Sequence, residues 1–132
     1  MPCEGAGVTL PQLSDAQRAF WRRRKVLCLC QRGNSRSVGL AWILKDELRK
    51  QHCTADALAA GVETCSRETL QMLCAWAETI ILVDARKTDK VPAEYHSKML
   101  VWDVGSDRYF KGFRLELIDQ FVAKLDAHQG QP

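Results

Sequence analysis

A chain of 132 residues, 46% apolar and 27% charged, has the length for one good hydrophobic core and the composition of an ordinary globular protein. Its net charge of +3 suits anionic substrates but falls short of a nucleic-acid binder, so no nucleic-acid partner is expected. No apolar run approaches the roughly 18 residues of a membrane span, no basic-then-apolar signal peptide opens the chain, and the six cysteines form no evident disulfide framework, which together predict a cytoplasmic protein without a membrane partner.

Residues 1–13 contain Gly and Pro and read as irregular. Ser14-Asp15-Ala16-Gln17 has the pattern of a capping box and opens a short helix toward Arg24. Residues 1–24 are read as an N-terminal extension, and 25–132 as a single α/β domain. The basic run Arg22-Arg23-Arg24-Lys25 suits a helix C-terminus, or else a patch that draws in an anionic partner. An apolar first strand follows, from Val26 to Cys30, with Cys28 and Cys30 expected on opposite faces. After a polar loop, Val38, Leu40, Ala41, Ile43, Leu44 and Leu48 form the stripe of a helix from Ser37 to about Lys50, and Trp42 is expected in the core or in helix packing rather than in contact with substrate. Ala55 to Ala60, ending at Gly61, predicts the second strand. Ser66-Arg67-Glu68-Thr69 opens a further helix through Leu70, Leu73, Cys74 and Trp76. Thr79 to Asp84 has the continuous apolar, β-branched character of a central parallel strand. A polar loop and a short helical piece near Pro92 come next. Lys98 to Asp103 is the expected fourth strand and Leu115 to about His128 the last helix. This alternation predicts a four-stranded parallel sheet with helices on both faces and ligands at the C-terminal strand ends.

The segment Cys30-Gln31-Arg32-Gly33-Asn34-Ser35-Arg36-Ser37 carries the chemistry. A loop folded between a strand-end cysteine and a helix-opening arginine makes a cradle for a tetrahedral oxyanion. Successive backbone N–H groups of residues 31–35 point inward, and the helix N-terminus adds partial positive charge. Arg36 grips two oxygens with its planar fork, and the same field favours a nucleophilic thiolate at Cys30. Gly33 and Asn34 suit a loop that needs unusual backbone angles. Ser37 is placed either to hydrogen-bond the Cys30 sulfur or to cap the helix. Arg32 sets a second cation near the mouth, toward a further phosphate or simply into solvent. A poor alkoxide or phenoxide leaving group needs a proton from a general acid. The loop after the fourth strand offers Asp107 and Asp103 for this, with Tyr109 and Phe110 as pocket walls or inward-packed lid residues. The scattered His52, His96 and His128 lack ligand spacing, so no metal and no cofactor are expected.

With Cys-x5-Arg-Ser directly after its first strand, the chain resembles the low-molecular-weight protein tyrosine phosphatases over residues 25 to 128. Other cysteine phosphatases usually place His before the cysteine, where this chain has Leu29. The resemblance implies a flavodoxin-like layering and hydrolysis of phosphotyrosine in a protein through a Cys30 phosphoenzyme. It also implies an aspartate followed by aromatics as the acid, which Asp107-Arg108-Tyr109-Phe110 matches best, with Arg108 where proline would stand. The family's loop asparagine falls three residues after the cysteine, where this chain has Gly33. Three rivals accompany this expectation: a non-catalytic phosphate-binding module, a phosphatase for a nucleotide or small phosphomonoester, and an arsenate reductase with a cysteine relay. The oligomeric state is not legible in the sequence.

Overall fold

A computed structural model of the chain describes residues 10–33, 36–105 and 115–130. Four strands, β1 (Lys25–Cys30), β2 (Asp56–Gly61), β3 (Thr79–Leu82) and β4 (Met99–Val101), form one sheet in the order β2-β1-β3-β4. Every pairing is parallel, with Cys30 opposite Gly61 and Leu29 opposite Leu82. Among the described residues four α-helices accompany them: α1 (Asp15–Trp21), α2 (Arg36–Arg49), α3 (Arg67–Trp76) and α4 (Leu115–Ala127). Two 3-10 helices, Ala85–Lys90 and Ala93–Lys98, join β3 to β4. The α/β fold expected from the alternation is the one found.

The two faces of the sheet bury separate cores. On one, Val26, Cys28, Cys30, Ile81 and Val83 meet Leu40, Leu44 and Leu48 of α2, Phe20 and Trp21 of α1, and Leu117 and Phe121 of α4. On the other, Leu27, Leu29, Ile80 and Leu82 meet Leu70 and Cys74 of α3 and Val91. The period-2 alternation of β1 thus divides the strand between two cores. It also corrects the expectation for the cysteines: Cys28 and Cys30, two residues apart, share a face. Burial, and next the neighbouring Cys30, push the Cys28 thiol far up, so Cys28 stays a protonated core residue.

Local sequence accounts for the element ends. The Ser14 capping box is present, its hydroxyl accepting from Gln17 N–H and the Gln17 side chain accepting from Ser14 N–H. Gln17 also donates to the carbonyls of Asp126 and His128, tying α1 to the end of α4. Leu13, Phe20 and Trp21 belong to the same core cluster as β1 and α4, so residues 10–24 pack as part of the domain. Strands β3 and β4 are shorter than expected. Past Leu82, Asp84 turns aside to cap the first 3-10 helix by accepting from Arg86 N–H. Trp42 and Val38 lie on the outer side of α2, exposed by 44% and 36%, so neither sits in the core, which corrects the core placement expected for Trp42 and for Val38 in the apolar stripe.

Candidate active site

Strand β1 delivers Cys30 to the C-terminal edge of the sheet, and α2 begins six residues later at Arg36. Both side chains are buried, Cys30 at 1% and Arg36 at 0% exposure. The Cys30 thiol donates to Ser37 Oγ at 3.1 Å, and Gly33 N–H donates to Cys30 Sγ at 3.0 Å. The sulfur therefore has a backbone amide and a hydroxyl in reach, two groups that can both donate to a thiolate. The positive end of the 14-residue α2 faces the same loop.

Gly33 has φ +74°, a left-handed conformation, and a Cβ there would lie 2.5 Å from Gly61 N. A Cβ on Gly61 would in turn lie 2.3 Å from the Arg32 carbonyl carbon. The loop and the end of β2 thus approach backbone to backbone, which only two glycines allow. The position three after the cysteine therefore needs a left-handed residue without a side chain.

The turn after β2 also orients the loop. The carbonyls of Cys30 and Gln31 accept from Val62 N–H (2.9 Å) and Glu63 N–H (3.0 Å). The Arg32 carbonyl accepts from Thr64 Oγ1 at 3.1 Å. Three consecutive carbonyls are held toward residues 62–64, which form a strap along the loop. In trans peptides the N–H of each following residue points the opposite way, so those of Gln31, Arg32 and Gly33 turn away from the strap. Gly33 N–H accordingly meets the Cys30 sulfur. Gln31 Nε2 donates to Glu63 Oε1 (3.0 Å), and Lys87 Nζ donates to Glu63 Oε2 (2.5 Å), linking the loop to the segment after β3. Arg32 is exposed.

Arg36 is aimed from the far side. Its Nη1 donates to Asp84 Oδ2 at 3.0 Å and to the Gly105 carbonyl at 2.6 Å. Asp84 also receives Arg86 through Nε (3.0 Å) and Nη2 (2.9 Å). Arg86 above all, with Arg36 adding to it against the cost of burial, holds the Asp84 carboxyl well below the usual carboxylate range. Asp84 is therefore a fixed anion that sets the guanidinium. Sequence reading missed it, as it missed Gly61 and Thr64, since an aspartate closing an apolar strand gives no local sign of a partner 48 residues away.

Of the two expected acids, Asp103 follows β4 at the same sheet edge, and its Oδ1 accepts from Ala85 N–H (3.0 Å) and Gly105 N–H (3.4 Å). It is exposed but engaged in turning the backbone. Asp107, Tyr109, Phe110, Asn34 and Ser35 lie outside the described residues. Among the described residues no three His, Cys, Asp or Glu side chains gather as a metal site, and no helix is long and apolar enough to cross a membrane.

No family model, no curated protein and no solved structure matches the chain.

Proposed function

We propose that this protein is a cytoplasmic cysteine-dependent phosphomonoester hydrolase of the low-molecular-weight tyrosine phosphatase type. One observation carries the reading: the Cys30 sulfur lies within hydrogen-bond distance of both the Gly33 amide and the Ser37 hydroxyl, at the start of a helix opened by a buried arginine. That arrangement suits a thiolate nucleophile beneath an oxyanion cradle. In the first step the thiolate attacks phosphorus and the S–P bond forms as the P–O bond to the leaving group breaks. Arg36 and the loop amides hold the equatorial oxygens, and an aspartic acid gives its proton to the leaving oxygen. In the second, water attacks the phosphocysteine, the aspartate takes a proton, and the thiolate departs toward the Ser37 hydroxyl. The engagement of Asp103 with two backbone amides favours Asp107 as the acid. Phosphotyrosine in a protein is the proposed substrate.

The test is hydrolysis of a chromogenic aryl phosphate under reducing conditions. Wild type is expected to turn it over, Cys30→Ser to fall to background, and Arg36→Lys to lose about a hundredfold, the scale of one lost oxyanion donor. A second reading has its own support. Arg36 is already bound to Asp84 and Gly105, as suits a fixed phosphate-binding module that performs no chemistry. Phosphate binding by an inactive wild type would establish that reading instead.

A further inference from the structure

We propose that Thr64 is a positioning residue for the Cys30 sulfur, acting through the peptide that joins Arg32 to Gly33. Thr64 Oγ1 donates to the Arg32 carbonyl at 3.1 Å on one side of this peptide. On the other side the Gly33 N–H donates to Cys30 Sγ at 3.0 Å. A trans peptide is planar, with its C=O and N–H antiparallel, so fixing one end aims the other. Glycine has little intrinsic preference to hold that plane, and Gly33 leaves the task to its partners. Of the three carbonyls pinned by the strap, those of Cys30 and Gln31 are held by backbone amides. Only the third depends on a side chain.

The turn itself does not need the Thr64 hydroxyl. Thr64 N–H and Cys65 N–H both return to the Gly61 carbonyl, at 3.4 and 3.2 Å, and close the turn through backbone alone. Valine in place of Thr64 therefore keeps the shape of the strap and removes the link. Thr64 is exposed, so water competes for the Arg32 carbonyl and the effect is graded. With the peptide free to rock, the sulfur loses part of an amide that favours its thiolate. The catalytic consequence rests on the phosphatase reading; the effect on the sulfur does not.

The experiment is the pH dependence of iodoacetamide alkylation at Cys30, read by mass spectrometry of its peptide, in wild type, Thr64→Val and Thr64→Ser. Circular dichroism and melting confirm that each variant is folded. Thr64→Val is expected to shift the alkylation profile to higher pH and slow the reaction near pH 6 by about three- to tenfold, while Thr64→Ser stays within about twofold of wild type, as loss and restoration of one hydrogen bond would give. If Thr64→Val unfolds, Thr64→Ala serves with the same expectation. Overlaid profiles for folded wild type and Thr64→Val overturn the proposal, as does a Cys30 that no pH between 5 and 9 makes reactive. Aryl phosphate hydrolysis, run beside it, separates the two ideas: a wild type that alkylates but does not hydrolyse removes the phosphatase reading, while the alkylation ratio still decides for or against Thr64.

Discussion

Arg36, the first residue of α2, and Asp84, just beyond β3, form an ion pair of 3.0 Å with both side chains out of solvent. Two charges taken from water cost several kcal/mol each unless well paired. Here Asp84 is held by both Arg36 and Arg86, and Arg36 also by the Gly105 carbonyl. The pair joins the start of α2, next to the Cys30 loop, to the C-terminal edge of the sheet beyond β3.

Removing one member should be costly. Asp84→Ala leaves the Arg36 guanidinium without its buried counter-ion and is expected to lower stability by about 3–5 kcal/mol. Asp84→Asn keeps an acceptor and should cost less. Urea unfolding of the three proteins measures both, and an Ala variant within 1 kcal/mol of wild type, roughly the worth of a surface pair, would contradict the assigned role.

Acid should weaken the fold through the same group. The Asp84 carboxyl titrates below its ordinary value, chiefly because Arg86 hydrogen-bonds it, so the unfolded chain binds its proton first as pH falls. Its stabilisation is complete above the unfolded pKa of about 3.9 and is lost as pH drops further toward the folded value. The urea midpoint should therefore be level from pH 7 to 5 and decline below about pH 4. Asp46 and Glu63 are lowered too, so the difference between wild type and Asp84→Asn isolates the part due to Asp84. That difference should shrink with acid.

Gly33→Ala and Gly61→Ala test the backbone contact between the loop and β2. Each new Cβ would sit within 2.5 Å of the opposing backbone, and at Gly33 the φ of +74° adds strain of its own. Loss of about 1–3 kcal/mol in stability is expected. Displacement of the cradle should reduce aryl phosphate turnover by about a hundredfold in both. Melting temperature and steady-state kinetics report the two effects separately.

Ser37→Ala removes the hydroxyl 3.1 Å from the sulfur. If that hydroxyl eases departure of the thiolate, the second step slows by about tenfold or more, the worth of a hydrogen bond to a charged atom. Stopped-flow kinetics should then show a burst of released phenol followed by a slower steady state.

Much of this was legible in the sequence because it is local. The capping box at Ser14 and Gln17, the apolar run into Cys30, the glycine in the loop and the stripe on α2 each announce themselves within a few residues. So does the parallel arrangement, through the alternation of strands and helices. What escaped is tertiary. Asp84 gains its meaning from Arg36, Gly61 from Gly33, and Thr64 from the Arg32 carbonyl, contacts formed only once β1, β2 and β3 lie side by side. The shared face of Cys28 and Cys30 was within reach of period-2 reasoning and was misread. Trp42 looked like core because tryptophan is a large apolar residue, yet its place on the outer side of α2 exposes it. The short β4 reflects a different cause: past Val101 the amides of Trp102 and Val104 still bond to Leu82 and Val83, while Asp103 turns to bind Ala85 and Gly105.

The most direct test of the central claim is to trap the covalent intermediate. Wild type mixed with an aryl phosphate and quenched in acid within milliseconds should yield a Cys30 peptide carrying one phosphoryl group on sulfur, found by mass spectrometry and absent from Cys30→Ser. Substrate turnover without any such adduct, or an adduct on another residue, would contradict the account.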